Sequence, residues 1–465
     1  SAITDPAGRV TQFTVDGNGD LVRIVNPDGG ERQFAYDAQH RMVSQTDAGG
    51  RATAYAYDAA GAVTRVDRPD GTHTLHAAAN AGQASYTDPA GQVYLFAVNS
   101  YGTRTAITDP LGRTLLMGRN EDDQISTLVT PGGKRVDCTY DERGNLATAS
   151  AYGRSSGWPD LVTLTYDAAL NLPTRIVDDM AGTWLASYDG QGALTEATMP
   201  GGRRYTSTYN ARGQRLSLTV DGATTSFTYN AEGNLATITN GEGGVWQYGY
   251  DAYGNINSVT DADGRTWALV YNAMNLVEQI TNGLGQTVSF TYVPAQGSLD
   301  IDLDGAVAVA SGITDGRGHA TTFAYDALYR PTEITDPLGN VTRLAYDACG
   351  RLVMRTEPTG ATASYTYNAA GQLTGRTLSV GESATYTYDA TTGRCTSMAT
   401  PTCRVDYTYN WFDLVSTATT EFPVSGLSAS LTYVYRASNY AETLITLAVG
   451  ANASDFGYGW TPTGG

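Results

Sequence analysis

The chain has 465 residues and 49.2 kDa, with 53 Gly and 31 Tyr but only 9 Phe and 16% charged residues, where an ordinary globular chain carries about 7% Gly and about 25% charge. Its formal charge of -18, from 47 acids against 29 bases, excludes nucleic acid as a partner, because phosphate neutralisation needs a basic face, and weighs equally against anionic membrane surfaces. No run of about 18 apolar residues occurs, so no membrane insertion is expected, and residues 1–6 have neither the basic start nor the apolar stretch of a signal peptide.

Read along the chain, the first punctuation is Thr-Asp-Pro-x-Gly at Thr4 to Gly8, and it returns at Thr87 to Gly91, Thr108 to Gly112 and Thr335 to Gly339. Asp-Pro sets Pro at the second position of a turn, where its fixed φ fits, and the following Gly accepts a positive φ. A second mark, Tyr-[Asp/Asn]-x-x-[Gly], opens at Tyr36, Tyr57, Tyr140, Tyr166, Tyr188, Tyr209, Tyr229, Tyr250, Tyr271, Tyr325, Tyr346, Tyr367, Tyr388 and Tyr409. Its spacing is about 21 residues, and degenerate copies fill the gaps at Val15 to Gly19, Ala78 to Gly82, Val98 to Gly102 and Arg119 to Asp123. In this turn the Asp or Asn can bond its own backbone while the Gly takes the left-handed position.

Two turns per period leave two segments of about six residues, the usual strand length, so each unit is a β-hairpin. Alternation inside the segments agrees. Val245 to Tyr250 and Thr266 to Tyr271 place a ring at every second residue, as do Phe34/Tyr36, Tyr55/Tyr57, Phe227/Tyr229, Phe290/Tyr292, Phe323/Tyr325, Tyr365/Tyr367 and Tyr386/Tyr388. The fold class expected is all-β: roughly twenty hairpin repeats in one continuous antiparallel sheet, which at roughly forty strands must coil into a spiral, hollow shell or tube. The array spans residues 1–465 as a single domain, with insertions near 150–160, 293–312 and 421–430, and it starts and ends mid-repeat. Rings one period apart are expected to stand beside each other, packed rather than exposed.

These residues resemble the YD-repeat, or RHS-repeat, family, whose Tyr-Asp-Ala-x-Gly-x-Leu is met at Tyr346 to Leu352 and is followed by Thr-Asp-Pro-x-Gly. The resemblance covers nearly all of the chain. It implies a spiralling β-shell of the kind found in bacterial polymorphic toxins, toxin-complex C components and teneurin adhesion proteins, enclosing a toxin segment or displaying an adhesive surface. Toxin-bearing members close the array with Tyr-Asp-Pro-x-x-Gly-Arg-Phe, and no Tyr-Asp-Pro occurs here, so an excised stretch of a longer array is expected, without cap, protease or cargo.

Candidate chemistry is sparse. Gly153 to Gly157 matches Gly-x-Ser-x-Gly around Ser155, but Trp158-Pro159 follows where a helix is required, which favours a loop insertion. His73 and His76 are three apart on a strand and point to opposite faces, and His40 and His319 sit in turns. Asp300, Asp302 and Asp304 place three carboxylates on one strand face and are the nearest approach to a Ca²⁺ site, though solvated acids guarding an edge are the favoured reading. Asp16, Asn18 and Asp20 resemble the start of a calcium loop without the distal Glu. Cys138, Cys349, Cys395 and Cys403 occupy different repeat positions and read as free thiols. Lys134 is the only lysine, and arginine supplies all other basic side chains. No metal or cofactor is expected.

The expected function is that of a non-enzymatic structural shell or scaffold segment of a secreted or cell-surface bacterial protein, its partners being flanking repeats or enclosed cargo of the parent. An adhesive or glycan-binding array that self-associates end to end is the alternative.

Overall fold

A computed structural model describes residues 1–4, 8, 10–27, 29–80, 82–152, 160–179, 181–273, 275–293, 309–410, 414–422, 427–435, 442–449 and 456–458. Among these residues every regular element is a β-strand, 42 in all. Most are five or six residues long, as two turns per period require. The all-β hairpin array read from the turn spacing is the fold.

Wherever the register is described, consecutive strands pair antiparallel. Leu235–Thr239 meets Val245–Tyr250 through Thr237↔Gln247 to Thr239↔Val245. Val245–Tyr250 then meets Ile256–Thr260, where Gln247↔Thr260 is in step and the register shifts between Gly249 and Tyr250. The same shift falls immediately before Tyr57, Tyr140, Tyr271, Tyr325 and Tyr346. Each repeat therefore carries one irregular hairpin, bulged at its tyrosine, and one regular hairpin, a difference that gives the two ends of the strands distinct character.

Alternation places the rings on one face. In Thr266–Tyr271 the residues Trp267, Leu269 and Tyr271 are half-buried and Thr266, Ala268 and Val270 are exposed. Rings one period apart do not stand side by side, however. Register interposes an aliphatic strand between them, giving Phe227↔Ile238↔Trp246 and Tyr248↔Val259↔Trp267. Aromatic against β-branched is a favourable cross-strand pairing. The Ile or Val comes from the segment between the two turns, as in Leu-Ala-Thr-Ile238-Thr and Ile-Asn-Ser-Val259-Thr. Few side chains are fully covered: among the described residues the buried apolar ones are Ile24, Tyr55, Ala384 and Ala418. The rings are half-covered by their neighbours in the sheet, less than the full packing expected of them.

The chain divides into two compact units. One comprises Ser1–Ala78, Tyr86–Gly91 and Gln214–Gly360, and the other Ala79–Ser85, Gln92–Gly213 and Ala361–Gly465.

The turn glycines make the first test. Gly339 and Gly350 have φ of 82° and 84°, and a Cβ on Gly339 would meet nothing within 4 Å, so a penalty there is conformational and not steric crowding. Gly339→Val and Gly350→Val should each destabilise by at least about 1 kcal/mol in urea unfolding, because β-branched residues resist positive φ. Unchanged midpoints in both would show that the loops do not need the left-handed residue.

Candidate functional site

The chemistry of the chain is concentrated at the ends of its strands, in two rows of loops. In the loop that follows Tyr346, Asp347 N–H donates to Arg351 O at 2.9 Å and Gly350 N–H to Asp347 O at 3.0 Å. The Asp347 carboxylate, through Oδ1, accepts from Cys349 N–H at 3.0 Å and Arg351 N–H at 2.9 Å. The Thr-Asp-Pro loop at Asp336 has the same plan, with Oδ1 accepting from Leu338 and Asn340 N–H at 2.9 Å each. The two turn signatures that differ in sequence thus close the same five-residue loop. An amide serves as well: Asn282 Oδ1 accepts from Leu284 and Gln286 N–H at 3.0 Å. At Asp336, Asp141 and Asp315 hydrogen bonds to the carboxylate hold its pKa down, from side-chain amide and backbone N–H donors. Asn340 is the leading cause at Asp336, Asn145 at Asp141 and the His319 N–H at Asp315.

Twelve of the fourteen motif tyrosines reach back to the preceding strand. Tyr57 Oη donates to Met42 O at 2.6 Å, Tyr140 to Ile125 O at 2.7 Å, Tyr188 to Pro173 O at 2.8 Å, Tyr250 to Leu235 O at 2.7 Å and Tyr271 to Ile256 O at 2.8 Å. The same clamp recurs at Tyr166, Tyr209, Tyr229, Tyr325, Tyr346, Tyr388 and Tyr409. In each pair of strands the accepting carbonyl lies beyond the last ladder pair, as Leu235 lies beyond Thr237↔Gln247, so the hydroxyl satisfies a group the ladder leaves over. Burial pushes the phenol pKa up at Tyr140, Tyr250 and Tyr271. Tyr36 and Tyr367 occupy the same strand position. Tyr292, outside the motif because Val293 replaces the Asp, makes the clamp to Val277 O at 2.6 Å. Its place one period after Tyr271 is the signal that identifies it.

Arginine acts beside the tyrosines. Arg41 pairs with Asp37 of its own loop at 2.7 Å, sends Nη1 to Asp58 O of the next such loop at 3.2 Å and lies over the Tyr57 ring at 4.8 Å. Arg330 repeats all three contacts with Asp326 at 2.7 Å, Asp347 O at 3.3 Å and Tyr346 at 5.0 Å. Only a planar fork can serve a carboxylate, a carbonyl and a ring face together, which a lysine ammonium cannot do. Glutamine takes part of the role elsewhere, with Gln124, Gln214 and Gln372 donating to Gly144, Gly233 and Gly393 O at 3.0, 2.6 and 2.6 Å.

Within each unit, early Thr-Asp loops lie against much later Tyr-Asp loops. In the first unit Tyr329 Oη donates to Asp47 Oδ2 at 2.6 Å, Arg330 approaches Asp70 at 3.7 Å and Cys349 Sγ donates to Asp88 Oδ2 at 3.3 Å. In the second, Arg113 Nη1 packs on Gly393 and leaves no room for a Cβ there. Tyr329 stands where the motif places Gly and has φ of 59°, a conformation costing a bulky residue of order 1–3 kcal/mol. Desolvation first, then Asp47, pushes its phenol up to about 12.

The RHS Repeat family model matches residues 15–52, 36–73, 229–266, 250–287, 310–341, 330–362 and 367–402. These stretches are RHS repeats. Its fold is similar to that in the solved Tc holotoxin pore of Photorhabdus luminescens carrying a TccC3 mutation, at 14% identity over 97% of this chain with a TM-score of 0.52. It is also similar to TcdB2-TccC3-TEV, at 13% identity over 96% of this chain with a TM-score of 0.52. This chain spans only 27% and 29% of those two solved chains. No match exists among curated protein sequences.

The other candidates fall apart or into the RHS loops. Asp16 Oδ1 accepts from Asn18 and Asp20 N–H at 2.8 and 3.0 Å, closing an ordinary repeat loop, while Asp20 holds His40 Nδ1 at 3.0 Å. His76 packs on the Tyr86 ring with centroids 5.3 Å apart and lies 3.0 Å from Thr74 Oγ1, and His319 pairs with Asp315 at 3.3 Å. Cys138, Cys349, Cys395 and Cys403 are free thiols. Asp300, Asp302, Asp304 and Gly153 to Gly157 lie outside the described residues. Among the described residues no three His, Cys, Asp or Glu side chains gather in a way that could hold a metal, and no helix is long and apolar enough to cross a membrane.

The loop carboxylates set the response to acid. A depressed folded pKa contributes stability above the unfolded value of about 4, and that contribution is lost as pH falls through the folded value. Melting temperature should therefore hold from pH 7 to about 4 and fall below it. Asp336→Asn and Asp315→Asn, which keep the accepting oxygen, should flatten that fall; an equally steep acid limb in the double variant would contradict this origin.

Proposed function

We propose that this RHS array is a non-enzymatic wall segment of an encapsulating shell in a secreted or cell-surface bacterial protein. The observation that supports it most is the agreement of nearly the whole chain with RHS arrays solved inside toxin complexes. The local chemistry is consistent with that role. Tyrosine hydroxyls are used on backbone carbonyls and loop carboxylates on backbone N–H groups, so the repeated polar groups hold the wall together instead of converging on a reacting atom. Flanking repeats or enclosed cargo of the parent protein are the partners this reading requires.

The glycan-binding alternative has less support. Ring rows that bind sugars need open faces and free edges for hydrogen bonding, whereas these rings are half-covered and their hydroxyls engaged. An open groove on the sheet is lined by Ala324, Glu333, Arg343, Ala345 and Met354 and carries no ring among its lining residues.

The test is protease protection in the full-length parent protein. Segments outside the array should resist cleavage while joined to it and be cut rapidly once released by mild denaturation. Equal cleavage in both states, or saturable binding of the intact array to an immobilised glycan, would turn the reading towards a display surface.

A further inference from the structure

An array of near-identical repeats has a problem that a single hairpin lacks. Where one row of loops lies against another, a slip of one repeat sets equivalent loops together again, so repetition alone specifies the pairing weakly. In the first unit the loop Asp326 to Arg330 lies against the loop Asp47 to Arg51, about 280 residues earlier in sequence, and its contacts are unlike those of any neighbouring repeat. Tyr329 replaces the motif Gly. Its hydroxyl donates to Asp47 Oδ2 at 2.6 Å, its ring lies 3.9 Å beneath the Arg51 guanidinium, and Arg51 Nη2 donates to Asp326 O at 3.4 Å. Asp47 is only 8% exposed.

We infer that Tyr329 is a register pin, a strained side chain that fixes which loop of the later row meets which loop of the earlier one. The flanking early loops do not offer its partners. One repeat earlier the first and last loop positions are Asn26 and Gly30, and one repeat later they are Arg68 and Thr72. Neither pair provides both a carboxylate to accept the phenol proton and a guanidinium to cover the ring. Other non-glycine residues that close these loops, His40, Asp123, Asn171 and Asn275, also have positive φ, between 57° and 63°. Asn, Asp and His are the non-glycine residues enriched in that region, so Tyr329 is the one member of this set outside the tolerated class. Conformational strain retained by a bulky residue that is not of the tolerated types marks a position that the contact across the row over-determines. The inference stands whether or not the array encloses cargo.

Asp47 permits a clean test because its two oxygens have separate duties. Oδ1 accepts from Gly49 and Arg51 N–H at 2.9 Å each, closing its own loop, and Oδ2 accepts from Tyr329. Asp47→Asn keeps the loop, as Asn282 does in its own, but replaces the acceptor with an NH2 donor. Amide hydrogen exchange of the intact chain is the readout, with the Asp336 to Asn340 loop as internal reference. Tyr329→Gly restores the repeat pattern and removes the strain, yet exchange in loops 47–51 and 326–330 should accelerate at least about tenfold, with the reference loop unchanged. Tyr329→Phe should accelerate both loops in the wild-type background and by less than about twofold when Asp47→Asn is already present. Unchanged or increased protection in Tyr329→Gly would overturn the pin, as would independent, multiplying effects of Tyr329→Phe and Asp47→Asn.

Discussion

The recurring hydrogen bond from a repeat tyrosine to the backbone of the preceding strand is the constraint on which the rest of the array depends. Strands of five or six residues form few ladder bonds, and little of this sheet is fully buried, so hydrophobic enclosure cannot be the whole source of order. The ladder with the preceding strand stops short of its first residue, as Thr237↔Gln247 stops short of Leu235, and leaves a carbonyl beyond it. The phenol is the side chain that fits, because its ring completes the aromatic and aliphatic row while its hydroxyl spans the remaining distance to Leu235 or Ile256 O. Phenylalanine would fill the row and leave the carbonyl unsatisfied, which accounts for Tyr and not Phe at the positions where this bond is made.

From that bond the loops follow. A clamp at the end of the strand holds the next residue, Asp or Asn, where its side chain can collect the loop N–H groups, and the left-handed residue then closes the turn. Arginine at the last loop position runs from its own loop to the next tyrosine ring and carbonyl. Neighbouring repeats are thereby tied by backbone ladder and phenol, with a guanidinium or glutamine amide added at some loops, the nearest-neighbour pattern on which repeat arrays rely for stability.

Much of this was legible in the sequence, because period and turn chemistry are local. The spacing of Tyr57, Tyr250 and Tyr271, the Gly after each Asp, and the alternation in Thr266–Tyr271 were enough to give hairpins with the observed turns. What was not legible depends on register or on distance along the chain. That Ile238 and Val259 stand between the rings follows from how hairpins pair with each other, which a count of periods does not determine. The role of arginine needed the positions of the next ring and the next loop carbonyl. Tyr329 was visible as a break in the Gly pattern, but its partners Asp47 and Arg51 are brought to it by the folding of the whole row. The loops at Asp336 and Asp347 share one geometry despite Pro in one and Ala in the other, because both obey the Asp side chain.

The measurement that bears most directly on this account is the stability of tyrosine-to-phenylalanine variants within one stretch of the array. Tyr250→Phe and Tyr271→Phe remove clamps to Leu235 and Ile256, while Tyr248→Phe removes a hydroxyl that makes no hydrogen bond among the described residues. Urea unfolding should show a loss of about 1 kcal/mol for each of the first two and little change for the third. Equal behaviour of all three would contradict the clamp and leave ring packing alone to explain the tyrosines.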